Sequence, residues 1–106
     1  MRRRGNGTRL ISGAMKPAPD QTIIRTLALA HRWTALHRTG LSFAEIARRE
    51  GKGETFVRSR AILAFLAPKI QVRILEGTLP PDITLERLVR TNLPADWLEQ
   101  ASILGF

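Results

Sequence analysis

Cysteine and tyrosine are absent from this 106-residue chain, and histidine occurs only twice. The absence of cysteine excludes disulfides, thiolate nucleophiles and cysteine-based zinc, haem-attachment or iron–sulfur sites. His31 and His37 lie on different faces of one predicted helix, which excludes the metal-binding pair at positions i and i+4. The chain has no phosphate-binding glycine loop, no nucleophile elbow and no catalytic pair of carboxylates. We therefore expect no enzymatic activity, no cofactor and no bound metal.

Long apolar segments are also missing. No run approaches the roughly 18 apolar residues that span a bilayer, and the basic residues after Met1 are followed by Gly, Asn and Thr instead of an apolar signal core. The composition, 43% hydrophobic and 25% charged, is that of a folded chain long enough for one modest core. These features predict a soluble, cytoplasmic protein that is not embedded in a membrane.

Acidic residues are few and unevenly placed. The chain has 17 Lys and Arg against 9 Asp and Glu, a formal charge of +8. Residues 1–16 carry +5, residues 17–60 carry +4 and residues 61–106 carry −1. This gradient is typical of a module that follows nucleic-acid phosphates, although an anionic membrane surface also attracts a basic tail.

The sequence pattern predicts an all-α fold. Residues 1–19 combine Arg, Gly and Pro in a composition that buries no apolar area, which predicts a flexible basic arm. Residues 20–106 show helical spacing of apolar residues and no convincing alternation with period two. Caps and breakers divide them into six short helices: about 20–38, from Ser42 to Gly51, about 54–66, from Pro68 to Gly77, from Thr84, and from Pro94 to the C-terminus.

Residues 42–60 have the spacing of a helix-turn-helix. Ala47 occupies the position where the two helices cross and a small side chain is needed. Gly51 supplies the turn residue with left-handed backbone, while Ile46 and Val57 provide core contacts. This arrangement predicts that the N-terminal face of the next helix is exposed toward the major groove of DNA, with Gly53, Glu54, Thr55, Arg58, Ser59 and Ile62.

The residues of this face have candidate roles in DNA recognition, each with a simpler alternative. Arg58 suits a guanine or a phosphate, Thr55 a thymine methyl or a turn, and Glu54 a cytosine or the helix dipole. Ser59 completes the predicted base-reading set. Phosphate contacts are predicted for basic side chains around this helix and in the arm, where the alternative is a solvated surface or tail: Arg48, Arg49, Lys52, Arg60, Arg2, Arg3 and Arg4.

Aromatic residues are too few to favour single-stranded nucleic acid. Only six occur, and their pattern places them in the core. In particular, we expect Trp33 and Trp97 to form core or interhelix contacts, because an indole buries a large apolar area. Stacking platforms for unpaired bases are therefore poorly supplied.

Two segments resemble known families. The run FAEIARREGKGETFVRSRAILAFLAPKIQVRILEG resembles the helix-turn-helix and following helix of ParB/KorB-type partition proteins. The run from Ile62 to Phe106 is similar to the C-terminal end of serine recombinase-family proteins of bacterial mobile elements, whose separate catalytic domain this chain lacks. The resemblance implies DNA binding in a mobile-element context without strand cleavage. Glu50, Lys52 and Arg60 occupy positions that are usually apolar in the motif, so either they extend outward or the motif has diverged toward another partner.

Two functions remain after this survey. We favour a sequence-specific double-stranded-DNA-binding protein that acts as a transcriptional regulator or recombination accessory factor of a mobile element. The alternative is an interaction module that docks on a recombinase or an RNA polymerase component. In that alternative, or in a homodimer, the contact surface is formed by apolar C-terminal residues: Leu85, Leu88, Val89, Trp97, Leu98, Ile103 and Phe106.

Overall fold

The computed structural model describes residues 19–91 and 93–105. Within them the chain forms six α-helices and one 3-10 turn and no strand. This confirms the predicted all-α class. The helices are α1 (Gln21–Arg38), α2 (Phe43–Glu50), α3 (Glu54–Ala61), α4 (Pro68–Glu76), α5 (Leu85–Arg90) and α6 (Trp97–Leu104), and the 3-10 turn (Ile62–Phe65) follows α3. The predicted arm, residues 1–19, lies outside the described residues except for Pro19.

Side-chain caps determine where several helices begin. The Asp20 carboxylate accepts from the backbone N–H groups of Thr22 (2.9 Å) and Ile23 (3.3 Å). Thr84 accepts from Arg87 at the start of α5 (3.1 Å). These oxygens satisfy amides that have no partner within the helix. The predicted starts of the first, second and fifth helices are thereby confirmed.

Two helix boundaries differ from the prediction. The third helix ends at Ala61 instead of running to Leu66, and the backbone leaves the helical region at Leu66 (φ −63°, ψ 148°) and Ala67 (φ −51°, ψ 139°), the residue before Pro68. The chain leaves the helix through the tighter 3-10 turn. The last helix begins at Trp97 and not at Pro94, because Asp96 is the residue that caps it.

Helix α1 joins two hydrophobic clusters. Its N-terminal half packs with the 3-10 turn and the C-terminal helices in a larger cluster: Ile23, Leu27, Ala30, Leu63, Leu66, Ala67, Ile70, Ile74, Ile83, Leu88 and Leu104. Its C-terminal half contributes Trp33 to a second cluster with α2 and α3: Ile46, Ala47, Val57 and Ala61. The α2–α3 unit, residues 43–61, is thus built on the C-terminal half of α1.

The two tryptophans have opposite environments. Trp33 is fully buried, as predicted, and its indole N–H has no hydrogen-bond partner among the described residues. Trp97 is 55% exposed, so the prediction of a core contact is wrong for this residue. Gln100 and Leu104 occupy the inner side of α6 instead. Phe56 and Phe65 are also exposed, which corrects the expectation that the aromatic residues lie in the core.

The predicted C-terminal contact surface is also only partly exposed. Leu88 is completely buried, and Leu85 and Val89 pack against the larger cluster. Leu98 and Ile103 are exposed, while Phe106 lies outside the described residues. None of the helices described is long and apolar enough to cross a bilayer.

Candidate nucleic-acid interface

The turn between α2 and α3 is fixed by one left-handed residue. Gly51 has φ +69°, a conformation that places a side chain against the following carbonyl in any L-residue. With it, the Lys52 N–H donates to Ala47 O (2.9 Å) and the Gly51 N–H to Arg48 O (3.3 Å). These two hydrogen bonds satisfy the last carbonyls of α2, and the turn directs the chain into α3. The predicted role of Gly51 is confirmed.

Buried side chains hold α3 against both preceding helices. Val57 and Ala61 form its inner side, and Ile46 and Ala47 face them from α2, all with at most 3% exposure. The Thr34 hydroxyl of α1 also donates to the Ala61 carbonyl (3.3 Å). Among residues 19–91 and 93–105, helix α3 is therefore packed on one side and uncovered on the other, which is called its free side below.

The free side of α3 carries most of the predicted base-reading residues. Glu54, Thr55 and Arg58 are exposed, and Ser59 is half-buried with its hydroxyl donating to Phe56 O (3.1 Å). At 100° per residue, Thr55 and Ser59 lie opposite the buried Val57 and Ala61. Ile62 is 42% exposed but belongs to the 3-10 turn, where it lines an apolar cavity. The part of the predicted face that lies on α3 therefore ends at Ser59.

Arg58 is held in place by two neighbours. Its guanidinium forms an i, i+4 ion pair with the Glu54 carboxylate and lies 5.3 Å from the centroid of the Phe43 ring. His37 stacks on the same phenyl ring, 4.2 Å away with an interplanar angle of 14°. Phe43 thus connects the end of α1 to the exposed side of α3. Helical spacing places Phe43 on the apolar side of α2 and gives no sign of this contact.

Phe56 positions two further cations. The Arg60 guanidinium lies 3.8 Å and the Lys52 ammonium 5.5 Å from its ring centroid. The same ring forms an edge-to-face pair with Trp33, with ring centroids 6.5 Å apart and an interplanar angle of 66°. A cation over an aromatic face gains roughly 0.5–1 kcal/mol at exposed sites. The i, i+4 spacing of Phe56 and Arg60 within α3 is a signal from which the Arg60 contact was predictable, whereas Lys52 reaches the ring from the turn before the helix.

The three polar residues at usually apolar motif positions are all accommodated without an unpaired buried charge. Lys52 and Arg60 extend along Phe56. Glu50 is mostly buried, with 16% side-chain exposure, and accepts from Arg32 at 2.9 Å. Lys52 and Arg60 therefore extend outward, as the first of the two alternatives predicted. Glu50 instead forms an ion pair with Arg32 of α1.

The remaining predicted phosphate contacts lie at the end of α2. Arg48 and Arg49 are both exposed there, close in sequence to Lys52 across the turn. At the start of the same helix, the backbone N–H and the hydroxyl of Ser42 bond to Glu45, both at 3.2 Å, and hold the pKa of that carboxyl below its usual value. The Glu45 carboxylate therefore forms part of the capping box at the start of α2. Arg2, Arg3 and Arg4 lie outside the described residues.

Both histidines form hydrogen bonds with neighbouring protein groups. His37 donates from Nδ1 to the Leu41 carbonyl (2.8 Å), and His31 hydrogen-bonds the Gln71 amide oxygen (2.7 Å). Residues 19–91 and 93–105 contain no cluster of three or more potential metal ligands. What the α2–α3 surface offers is a set of cations and short polar side chains on a fixed helix, a combination suited to contacts with phosphates and base edges.

Comparison with known proteins found no matching family model, no matching curated sequence and no matching solved structure. Function is consequently inferred from the chemistry of this surface.

Proposed function

We propose that this chain is a sequence-specific double-stranded-DNA-binding protein that places α3 in the major groove through a helix-turn-helix. The observation that carries the proposal is the packing of α3: Val57 and Ala61 are buried, while Thr55 and Arg58 stand exposed on the free side. A helix presented in this way fits the major groove, whose width admits one α-helix. We further propose that it acts in the cytoplasm as a transcriptional regulator or recombination accessory factor of a mobile element.

In this proposal the residues divide into two groups. Arg58 donates to a guanine edge, Thr55 and Ser59 contact neighbouring bases, and Glu54 accepts from a cytosine or orients Arg58. Four cations around the helix contact phosphates: Arg48, Arg49, Lys52 and Arg60. Four phosphate contacts give a slope of roughly −3.6 in log K against log salt concentration, at roughly −0.9 per neutralised phosphate. The arm, with Arg2, Arg3 and Arg4, adds to this slope and not to base discrimination.

The test begins by selecting a binding site from a random duplex library. Fluorescence anisotropy then compares the selected duplex with a scrambled duplex of equal length at about 50 and about 200 mM salt. We expect Arg58→Ala to lose about 1–3 kcal/mol on the selected duplex and little on the scrambled one. Arg48→Ala should weaken both equally and reduce the salt slope by about 1. Arg25→Ala is the matched control, because Arg25 is exposed on α1 two turns before Trp33.

Two results would contradict the proposal. If no duplex is enriched and binding is equal on all DNA, α3 does not discriminate bases. If binding is also lost without residues 1–16, the charge of the arm accounts for it, and the α2–α3 surface serves a protein partner, such as a recombinase or an RNA polymerase component.

A further inference from the structure

The guanidinium of Arg58 is restrained on two sides and is still accessible. Glu54 pairs with it from the preceding turn of α3, and its Cζ atom lies over the Phe43 ring of α2, 5.3 Å from the centroid. Despite both contacts, the Arg58 side chain is 59% exposed. The pair with Glu54 is made through Nη2. Because a guanidinium has several N–H donors, Arg58 can still form two hydrogen bonds to the O6 and N7 atoms of a guanine.

The Phe43 ring that contacts Arg58 is itself fixed in place. Phe43 is the first residue of α2 and directly follows Ser42, whose capping box determines where the helix begins. The ring is half-buried and packs against the second hydrophobic cluster. It also stacks on His37 at 4.2 Å, and the Nδ1 N–H of His37 donates to the Leu41 carbonyl (2.8 Å). The ring is consequently a fixed surface against which a guanidinium can pack.

Base recognition depends on the orientation of a guanidinium more strongly than phosphate binding does. A guanine edge is contacted by two parallel hydrogen bonds, which fix the plane of the donor group, whereas a phosphate attracts a cation through its charge over a range of orientations. Arginine also has high rotamer entropy, and a side chain that is ordered before binding loses less of it in the complex. A ring that orders Arg58 should therefore improve discrimination between bases more than overall affinity for DNA.

Phe56 provides a comparison within the same molecule. It also has cations over its ring, Arg60 at 3.8 Å and Lys52 at 5.5 Å. Both of these cations are assigned to phosphates in the proposed function, while Arg58 is assigned to a base. Loss of the Phe56 ring should consequently change affinity for any duplex, whereas loss of the Phe43 ring should change base discrimination.

We propose that Phe43, supported by the stacked His37 ring, is the residue that positions Arg58 for a guanine, with Glu54 holding the guanidinium from within α3. Phe43 acts through Arg58 and not by contacting DNA itself, and it thereby determines the specificity of the α2–α3 surface. This inference rests on the proposed function, because it requires Arg58 to contact a base. Its structural part, that Phe43 orders Arg58 in the free protein, is tested without DNA.

The first experiment measures the order of the Arg58 side chain in the free full-length chain by NMR relaxation of its Nε–Hε group. We expect an ordered group in the wild type and a mobile one in Phe43→Leu, which keeps an apolar side chain against the second cluster. His37→Ala leaves the Phe43 ring in place and should reduce the order of Arg58 less. Phe56→Leu is the matched control, since it should release Arg60 and leave Arg58 unchanged. An Arg58 group that is mobile in the wild type, or equally ordered in Phe43→Leu, would overturn the proposal.

The second experiment measures binding to the selected and scrambled duplexes of the previous test. Phe43→Leu should weaken binding to the selected duplex by about three- to tenfold, the factor expected for ordering one long side chain, and should change binding to the scrambled duplex by less than about twofold. Phe56→Leu should weaken both duplexes to the same extent. Phe43→Tyr keeps the aromatic face and should retain the preference of the wild type. Thermal unfolding of each variant confirms that it is folded at the assay temperature.

A modified base connects the ring to Arg58. Each guanine of the selected duplex is replaced in turn by an analogue that has carbon in place of the N7 acceptor. The guanine contacted by Arg58 is the one whose replacement weakens binding of the wild type but not of Arg58→Ala. At this position the replacement should weaken Phe43→Leu by a smaller factor than the wild type, because coupled groups are not additive.

The outcomes distinguish this inference from the proposed function. A wild type without preference for any duplex would refute the proposed function, and this inference with it. If the wild type has a preference that Arg58→Ala abolishes and Phe43→Leu retains, only the inference is overturned. Tighter binding by Phe43→Leu would also overturn it, because the ring would then be withholding Arg58 from DNA.

Discussion

Two glycines on either side of Lys52 should respond in opposite directions to the same substitution. Gly51 has φ +69° and Gly53 has φ −78° with ψ 152°. A Cβ atom built at either position meets no atom within 4 Å. The two sites therefore differ in backbone conformation and not in available space, which makes serine at each position a direct comparison of that conformation.

The magnitudes follow from this difference. Left-handed backbone destabilises the folded state by about 1–2 kcal/mol for an L-residue. Replacing glycine also lowers the conformational entropy of the unfolded chain, which stabilises the folded state by about 0.4–1 kcal/mol. Gly51→Ser should therefore lower the free energy of unfolding by about 1 kcal/mol. Gly53 precedes α3 without a side-chain cap, so Gly53→Ser should raise the free energy of unfolding by about 0.5–1 kcal/mol through the new cap and the same entropy term.

Urea and thermal unfolding of the two variants provide the assay. Since about 1 kcal/mol shifts the midpoint of a domain of this size by about 4–8 °C, the two variants should lie on opposite sides of the wild-type Tm. Gly51→Asn should lose less than Gly51→Ser, because asparagine tolerates left-handed backbone better. Equal shifts of the two serine variants, or a Gly51→Ser variant as stable as wild type, would refute the conformational argument.

Two more outcomes are expected from single side chains. Wild type should be more stable than Glu45→Gln near neutral pH, and the difference should vanish in acid. The pKa of Glu45 is lower in the folded protein than in the unfolded chain. The ionised carboxylate therefore stabilises the fold above the unfolded-state pKa, and this stabilisation is lost as the pH falls through the folded-state pKa. Tm values of both proteins across this range check the sign, and a difference that persists in strong acid would contradict it. Gln100→Ala should cost about 2–4 kcal/mol in urea unfolding, because it leaves the buried Ala67 N–H without its acceptor. The exposed Ser102→Ala is its control, and equal stability of the two variants would show that the Gln100 bonds contribute nothing.

Most helix boundaries were predictable because they depend on local chemistry. An aspartate, serine or threonine that can cap an amide, and a glycine that can adopt left-handed backbone, act within a few residues of their own position. Asp20, Ser42, Gly51 and Gly77 act in this way. The end of α3 was missed because apolar spacing continues through residues 62–66 and does not distinguish an α-helix from the 3-10 turn that follows Ala61.

The candidate interface was predictable in membership but not in arrangement. The exposure of Glu54, Thr55 and Arg58 follows from the helical period once Val57 is assigned to the core. The contact of Arg58 with Phe43 joins α3 to the start of α2, and periodicity within one helix gives no information on contacts between helices. For the same reason the sequence pattern predicted a core or interhelix contact for Trp97, whereas the residue of α6 that lies in the core is Gln100.

The sequence by itself determined an all-α chain with a basic N-terminal half, because composition and the caps and breakers of short helices are local properties. The tertiary structure decided which apolar residues stay exposed, since burial depends on the side of each helix that meets another element. It also decided that Phe43 and Phe56 hold the cations beside α3. It left Leu98 exposed on the outer side of α6, because the Gln100 hydrogen bonds to Ala67, Phe65 and Pro94 fix the rotation of α6.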